Sequence, residues 1–360
     1  MNSIRIQSNA RRKKIADFNP NHPGQDDSNL FGLPFTPDEA RVVVLPVPWE
    51  VTVSYGGGTA NAPEAILNAS RQVDLYDPYL PDAWKLGVAM AAIPASMKRE
   101  SRRLRAMAEA YIDHHSAGRS PARDPALRRS LDAINRGCAE MIAQVETSAG
   151  RLLDDGKLVA LLGGDHSTPL GYMKALARRH ASFGVLQIDA HADLRKSYEG
   201  FTYSHASIMF NALHLPQIKR LVQVGIRDYC QDEANGIRDS NGRIATWFDR
   251  DIKAQVYRGK SVASIHRAIV RSLPRKVYVS FDIDGLDPKL CPHTGTPVPG
   301  GFEFEEAIQL VKAVADSGRR IIGLDVNEVS PRVDEWDANV GARLLFRLIN
   351  IMAKSNKVRM

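Results

Sequence analysis

Apolar residues along the chain gather into short, nearly continuous runs. They recur at 41–48 (Arg41-Val42-Val43-Val44-Leu45-Pro46-Val47-Pro48), 157–162, 183–188, 220–225, 276–281 and 320–325. Runs this short, apolar at successive positions, read as strands buried on both faces of a parallel sheet. Between them, 168–180, 205–213, 261–272, 303–316 and 337–354 read as helices. A further helix starts at Ala62-Pro63-Glu64, with proline in its first turn. Residues 87–94 predict another strand. Residues 97–155 predict a mostly helical segment broken at Ser116–Pro121, and the stretch between 226 and 260 a loop with short elements. Regular alternation of strand and helix implies an α/β fold built on a doubly wound, mostly parallel sheet. Residues 1–40 are polar and rich in Pro, Asn and Asp. They read as a tail and a surface strap docked through Leu30-Phe31-Gly32-Leu33-Pro34-Phe35. Residues 41–355 then form a single domain.

Chemistry collects where these strands end. The run 183–188 leads into Asp189-Ala190-His191-Ala192-Asp193. Alternate residues of an extended chain point the same way, so Asp189, His191 and Asp193 can converge. Such a mixed oxygen and nitrogen set suits Mn²⁺, Ni²⁺, Fe²⁺ or Zn²⁺. One motif of this kind also fits two solvated carboxylates beside a turn histidine. However, 157–162 leads into Gly163-Gly164-Asp165-His166-Ser167, and 276–281 into Asp282-Ile283-Asp284-Gly285-Leu286-Asp287-Pro288. Ligands of parallel sheets gather at the carboxyl ends of strands, and burying so many carboxylates without cations is prohibitive. A metal cluster is therefore the better account.

Composition narrows the partners. No apolar run approaches the ~20 residues needed to cross a bilayer, and the basic N-terminus lacks the apolar stretch of a secretory signal. Three dispersed cysteines predict a reducing, cytoplasmic setting without disulfides. The net charge of +7 comes largely from arginines between Lys98 and Arg129 and in the N-terminal tail. With no interleaved aromatics these read as solvated helical faces, so neither nucleic acid nor membrane is an expected partner. The glycine run Gly56-Gly57-Gly58-Thr59 permits close backbone approach but lacks the Gly-Lys-Ser/Thr ending of a phosphate-binding loop.

In their order, the three acidic motifs resemble those of the ureohydrolase family: arginase, agmatinase, formiminoglutamase, guanidinobutyrase and guanidinase. The likeness covers roughly residues 40–355. It implies an arginase-like three-layer α/β/α fold and two divalent metal ions, Mn²⁺ or Ni²⁺. It also implies hydrolysis of a small guanidino or formimino substrate, by a homo-oligomer (trimer or hexamer) that accessory proteins could load with metal. Carried over by position, His166, Asp189, Asp193 and Asp282 would hold one ion. Asp189, His191, Asp282 and Asp284 would hold the other. Glu328, in Asp325-Val326-Asn327-Glu328-Val329-Ser330-Pro331, matches the carboxylate that meets the guanidinium, and His205 matches a histidine near the substrate. The residue chemistry agrees. Two cations can lower the pKa of a shared water, a planar guanidinium needs a carboxylate partner, and Asp193, Asp284 or His205 could carry the proton to the leaving amine.

The loop Leu194–Tyr203 lacks the polar, asparagine-containing pattern of arginases, so arginine is a poor expectation. Trp336 could fill the channel that a long alkyl tail would need, or simply pack at a helix start. Thr52, Ser54 or Thr59 could cap a small substrate. The likeness is greatest to guanidinase-type members, so free guanidine, giving urea and ammonia, is the first expectation. Agmatine or 4-guanidinobutanoate is the alternative, with Arg195, Lys196 or Glu199 meeting the tail. An inactive metal-binding scaffold is the reading from a different class, and the intact ligand set argues against it.

Overall fold

The computed structural model describes residues 2–22, 24–25, 27–332 and 334–358, arranged around one eight-stranded sheet. Its strands are β1 (Val42–Pro46), β2 (Val88–Met90), β3 (Leu158–Leu162), β4 (Phe183–Ile188), β5 (Ile218–Ile226), β6 (Ile244–Phe248), β7 (Lys276–Asp282) and β8 (Arg320–Asn327). They lie in the order β2-β1-β3-β8-β7-β4-β5-β6, and every pairing is parallel. Side chains alternate between the two faces. Phe183 and Val185 enter one core while Leu186 and Ile188 enter the other; Tyr278 likewise opposes Val277, Val279 and Phe281. Helices Ala62–Ala69, Val262–Arg271, Phe304–Asp316 and Trp336–Ser355 cover one face. Ala95–Ser116, Pro125–Asp154, Leu170–Ala177 and Ile208–Ala212 cover the other. This is the expected three-layer α/β/α arrangement.

The long helical segment breaks for a local reason. Asp124 accepts hydrogen bonds from Ala126 N and Leu127 N at 2.9 and 3.3 Å, with Pro125 in the first helical position. That is a strong helix start. Among the described residues no helix is long and apolar enough to cross a membrane.

Two stretches differ from the sequence reading. Asn2–Asp17 is helical rather than a featureless tail; Lys14 Nζ donates to Pro34 O and Glu39 Oε2 at 2.8 and 2.7 Å, tying the helix to the strap. The strap docks through Leu30, Phe31, Leu33 and Phe35, all buried. Residues 226–260, read as a loop with short elements, contain two helices and an edge strand of the sheet: Gln231–Arg238, Asp249–Tyr257 and β6. The edge strand β6 is only five residues long and half-buried throughout, so its apolar signal is weak.

His266 sits buried on helix Val262–Arg271, and its Nε2 has no hydrogen-bond partner among the described residues. Burial lowers its pKa to about 4. Unfolded, an imidazole takes up its proton near pH 6.5. As pH falls from 6.5 towards 4 the unfolded chain therefore binds a proton that the folded chain does not, and stability declines. His266→Gln should flatten this part of the Tm-versus-pH curve. Parallel curves for variant and parent would show that His266 carries no such penalty.

Candidate metal centre and active site

The four adjacent central strands β3, β8, β7 and β4 all deliver functional side chains from their carboxyl ends. After β3 the chain turns beneath the segment Trp49–Val51. A Cβ on Gly164 would lie 1.9 Å from Trp49 O, and one on Gly163 2.0 Å from Asn327 Oδ1, so only glycine fits at either position. Asp165 N donates to Trp49 O at 2.9 Å, and Asp165 Oδ2 accepts from Val51 N at 3.2 Å. This clamp delivers His166 to the centre of the cluster. The imidazole Nε2 lies 2.9 Å from Ser280 Oγ, whose single proton goes to Asp325 Oδ1 at 3.0 Å. Ser280 must then accept from Nε2–H, which leaves the Nδ1 lone pair free.

That lone pair faces acids. His166 Nδ1 is 3.0 Å from Asp189 Oδ2 and 3.2 Å from both Asp193 Oδ2 and Asp282 Oδ2. The other oxygen of Asp189 lies 3.7 Å from His191 Nδ1, which is itself 3.0 Å from Asp284 Oδ2. Asp189 therefore stands between the two histidines, with one oxygen towards each. Asp282 Oδ1 accepts Asp284 N at 2.9 Å, and Asp284 Oδ1 accepts Ala190 N at 3.0 Å, so the β7 and β4 exits brace one another. A buried ladder crosses three strands behind Asp189. Thr246 Oγ1 donates to Gln223 Oε1 (2.8 Å), Gln223 Nε2 to Gln187 Oε1 (2.7 Å), and Gln187 Nε2 to Asp189 Oδ2 (2.8 Å). These residues are register partners: Gln187 lies opposite Gln223, and Gln223 opposite Thr246.

Without cations this arrangement is electrostatically frustrated. Burial, followed by Asp284 and Asp189, pushes Asp282 well above the carboxylate range. Burial and Asp189 raise Asp193 to about 7. Burial would raise Asp189 too, but His166 and His191 hold it far below. Burial disfavours charge on His166, yet Asp189, Asp193 and Asp282 together raise its pKa well above the usual imidazole value. His166 Nδ1 is buried and makes no hydrogen bond among the described residues. A nitrogen that draws in a proton from among three carboxylate oxygens is a place where a metal cation can stand in that proton's stead. Ligand atoms of His166, Asp189 and Asp193 lie within 4.8 Å of one another, as do those of Asp189, His191 and Asp284. The donor set fits two divalent ions sharing Asp189.

The family model described as "Arginase family" matches residues 40–350. The chain belongs to the arginase family. It is 33% identical over 341 residues to an N(1)-aminopropylagmatine ureohydrolase of Thermus thermophilus, covering 89% of this chain and 94% of that one. It is 30% identical over 220 residues to the guanidinobutyrase of Pseudomonas aeruginosa, covering 59% and 66%. The crystal structure of the agmatine ureohydrolase of Thermoplasma volcanium superposes with a TM-score of 0.68 at 23% identity, covering 97% of this chain and all of that one.

In this arginase-family fold the six expected ligands converge. Glu328 lies beside them, buried at the exit of β8; its Oε1 accepts His166 N at 2.8 Å. Burial and the neighbouring Asp165 push its carboxyl well above the usual range. Asp193 and His205 line a cavity of about 140 Å³, together with His191, Ser54, Arg195 and Tyr198. Burial, then His191 and His166, lower the His205 pKa to about 3. Of the expected substrate contacts only His205 lines this cavity; Glu328, at the cluster itself, is not among the lining residues, nor are Thr52, Thr59 and Trp336. Thr52 Oγ1 accepts His205 N at 3.4 Å, and Thr59 Oγ1 donates to Glu50 Oε2 at 3.3 Å. Trp336 is 43% exposed, and its indole N–H donates to Lys289 O at 3.1 Å. Sequence reasoning passed over Gln187, Gln223, Ser280 and Asp325. Their one signal was a polar residue inside an apolar strand run.

Partners of a metal-ligating histidine set its tautomer, and losing them costs roughly ten- to a hundredfold in metal affinity. Ser280→Ala should weaken metal binding by about that factor, measured by chelator competition. Unchanged affinity would show that the Ser280–Asp325 pair does not hold the His166 ring.

Proposed function

We propose that this hydrolase cleaves a guanidino C–N bond of a small N-substituted guanidine, releasing urea and an amine. The observation that carries the reading is Glu328. It is a buried carboxylate with its charge penalised by burial, held beside the acid cluster and lacking a cationic partner among the described residues. A planar guanidinium supplies that partner. The named relatives act on tail-bearing guanidines, which favours agmatine or 4-guanidinobutanoate over free guanidine. The case for free guanidine leaned on a likeness to guanidinase-type members and on Trp336 as a plug, and an indole bonded at the surface to Lys289 O gives the plug no support.

His166, Asp189, Asp193 and Asp282 would hold one divalent ion, and Asp189, His191, Asp282 and Asp284 the other, Mn²⁺ or Ni²⁺. When bound, such a pair supplies Lewis acidity that makes water a nucleophile near neutral pH. The chain's own groups do the rest. Glu328 orients the guanidinium plane. Water adds its oxygen to the guanidino carbon, the bond from that carbon to the alkyl nitrogen breaks, and the departing amine takes a proton. Asp193 is placed to pass that proton because it lines the cavity, whereas Asp284 faces His191 and the Ala190 amide. His205, with its low pKa, is neutral at working pH and acts as a hydrogen-bonding wall rather than an acid.

Glu328→Gln keeps the shape of the side chain and removes its charge. In metal-loaded enzyme it should lower kcat/KM by about a hundredfold or more, because an unpaired buried cation is costly, while two ions per chain still bind. A variant with near-parental kcat/KM would remove Glu328 from the substrate site. Trp336→Ala should leave the order of preference among guanidine, ethylguanidine and butylguanidine unchanged. A shift towards the longer compounds would return the indole to the cleft.

A further inference from the structure

We propose that Arg195 is a specificity-determining residue that selects substrates whose tail ends in a carboxylate. This rests on the reading above that the enzyme takes N-substituted guanidines. Arg195 lines the same cavity as Asp193 and His205, and with Glu233 it also lines a much larger groove of about 890 Å³ next to it. It therefore stands where a tail leaving the reacting centre must pass. Its backbone is pinned, with N–H donating to Ala206 O at 3.1 Å. Its guanidinium carbon lies over the Tyr198 ring, 4.8 Å from the centroid, a cation–π contact that holds the fork against the cavity wall.

The fork is left without a protein acceptor. Among the described residues the Arg195 side chain makes no hydrogen bond, and its carboxylate neighbour is Glu233 at 4.0 Å from Nε. Both oxygens of Glu233 are already taken, by Leu194 N and Cys230 N at 2.9 Å each. Of the other two acids lining the cavity, Asp193 belongs to the cluster around His166, and Asp228 lies 3.9 Å from His191 Nε2, where a carboxylate orients a metal-ligating imidazole. An oriented guanidinium with free donors is built for bidentate pairing with a carboxylate. In the larger groove Arg195, Lys196 and Arg243 are balanced by Asp232, Glu233 and Asp239, so the unpaired fork of Arg195 at the mouth, rather than net charge, is what a carboxylate tail would meet. A tail ending in ammonium would be repelled by Arg195 itself and would have to turn towards Asp228 or Glu233 instead. The preferred class is thus an ω-guanidino carboxylate.

Three compounds of similar length separate the possibilities: 4-guanidinobutanoate, butylguanidine and agmatine. Their kcat/KM values and thermal shifts would be measured on metal-loaded parent, Arg195→Ala, Arg195→Lys and Arg195→Glu. The parent should favour 4-guanidinobutanoate over butylguanidine at least tenfold and disfavour agmatine. Arg195→Ala should collapse that ratio towards one, Arg195→Lys restore part of it, and Arg195→Glu turn the preference towards agmatine. Agmatine preferred by the parent, or a ratio indifferent to all three substitutions, overturns the assignment. If no compound is turned over, the reading of the reaction fails, and the order of thermal shifts still decides the role of Arg195.

Discussion

Four carboxylates and two imidazoles are pressed into one water-poor space at the end of the sheet, and the molecule is shaped by the need to hold them there. Asp189 is the pivot, turning one oxygen towards His166 and the other towards His191. Like charges this close repel strongly once water is gone. The glutamine ladder restrains Asp189 from behind, backbone amides restrain Asp282 and Asp284, and the Ser280–Asp325 pair restrains His166. The same restraint makes the site receptive to cations, since the cost of assembling the negative groups is met during folding and not at the moment of binding.

Strain is concentrated in the same place. Asp193 and Glu328 adopt φ values of 54° and 61°, the left-handed region that non-glycine residues avoid. Each such residue costs about 1–3 kcal/mol. Both conformations are held by the surroundings: Asp193 O accepts from Met209 N and Phe210 N, and Glu328 N donates to Gly164 O. Extended strands would have carried these side chains past the cluster. The turn bends Asp193 back towards His166 and lets Glu328 reach the His166 amide.

Around this rigid floor the walls are built from loops. The 194–203 segment supplies Arg195 and Tyr198, the 53–58 segment supplies Ser54, and the turn after β5 supplies Asp228 and Tyr229. Loops tolerate substitution far better than the buried ladder beneath them. A family with one reaction can therefore vary its substrate tails without disturbing the acids that carry the chemistry.

Much of this was legible in the residues themselves. Strands buried on both faces announce themselves as apolar runs, and acids placed just past their ends announce a site, because both signals are local in sequence. The ranges of β3, β4, β7 and β8 and the α/β class followed from that locality; the six candidate ligands came from matching the strand-end motifs to those of the ureohydrolase family. What could not be read is whatever depends on packing between distant segments. Gln187 and Gln223 look like stray polar residues until the register sets them side by side. Trp336 is adjacent to the site in sequence yet turns to Lys289 at the surface, and Thr59 donates to Glu50. The helix Asn2–Asp17 and the half-buried β6 carry too weak a periodic signal to be seen before the rest of the fold provides a surface for them. The order of apolar and acidic residues determined which groups can do chemistry; only the three-dimensional packing decided which of them face the cavity, because that choice is made by neighbours far away along the chain.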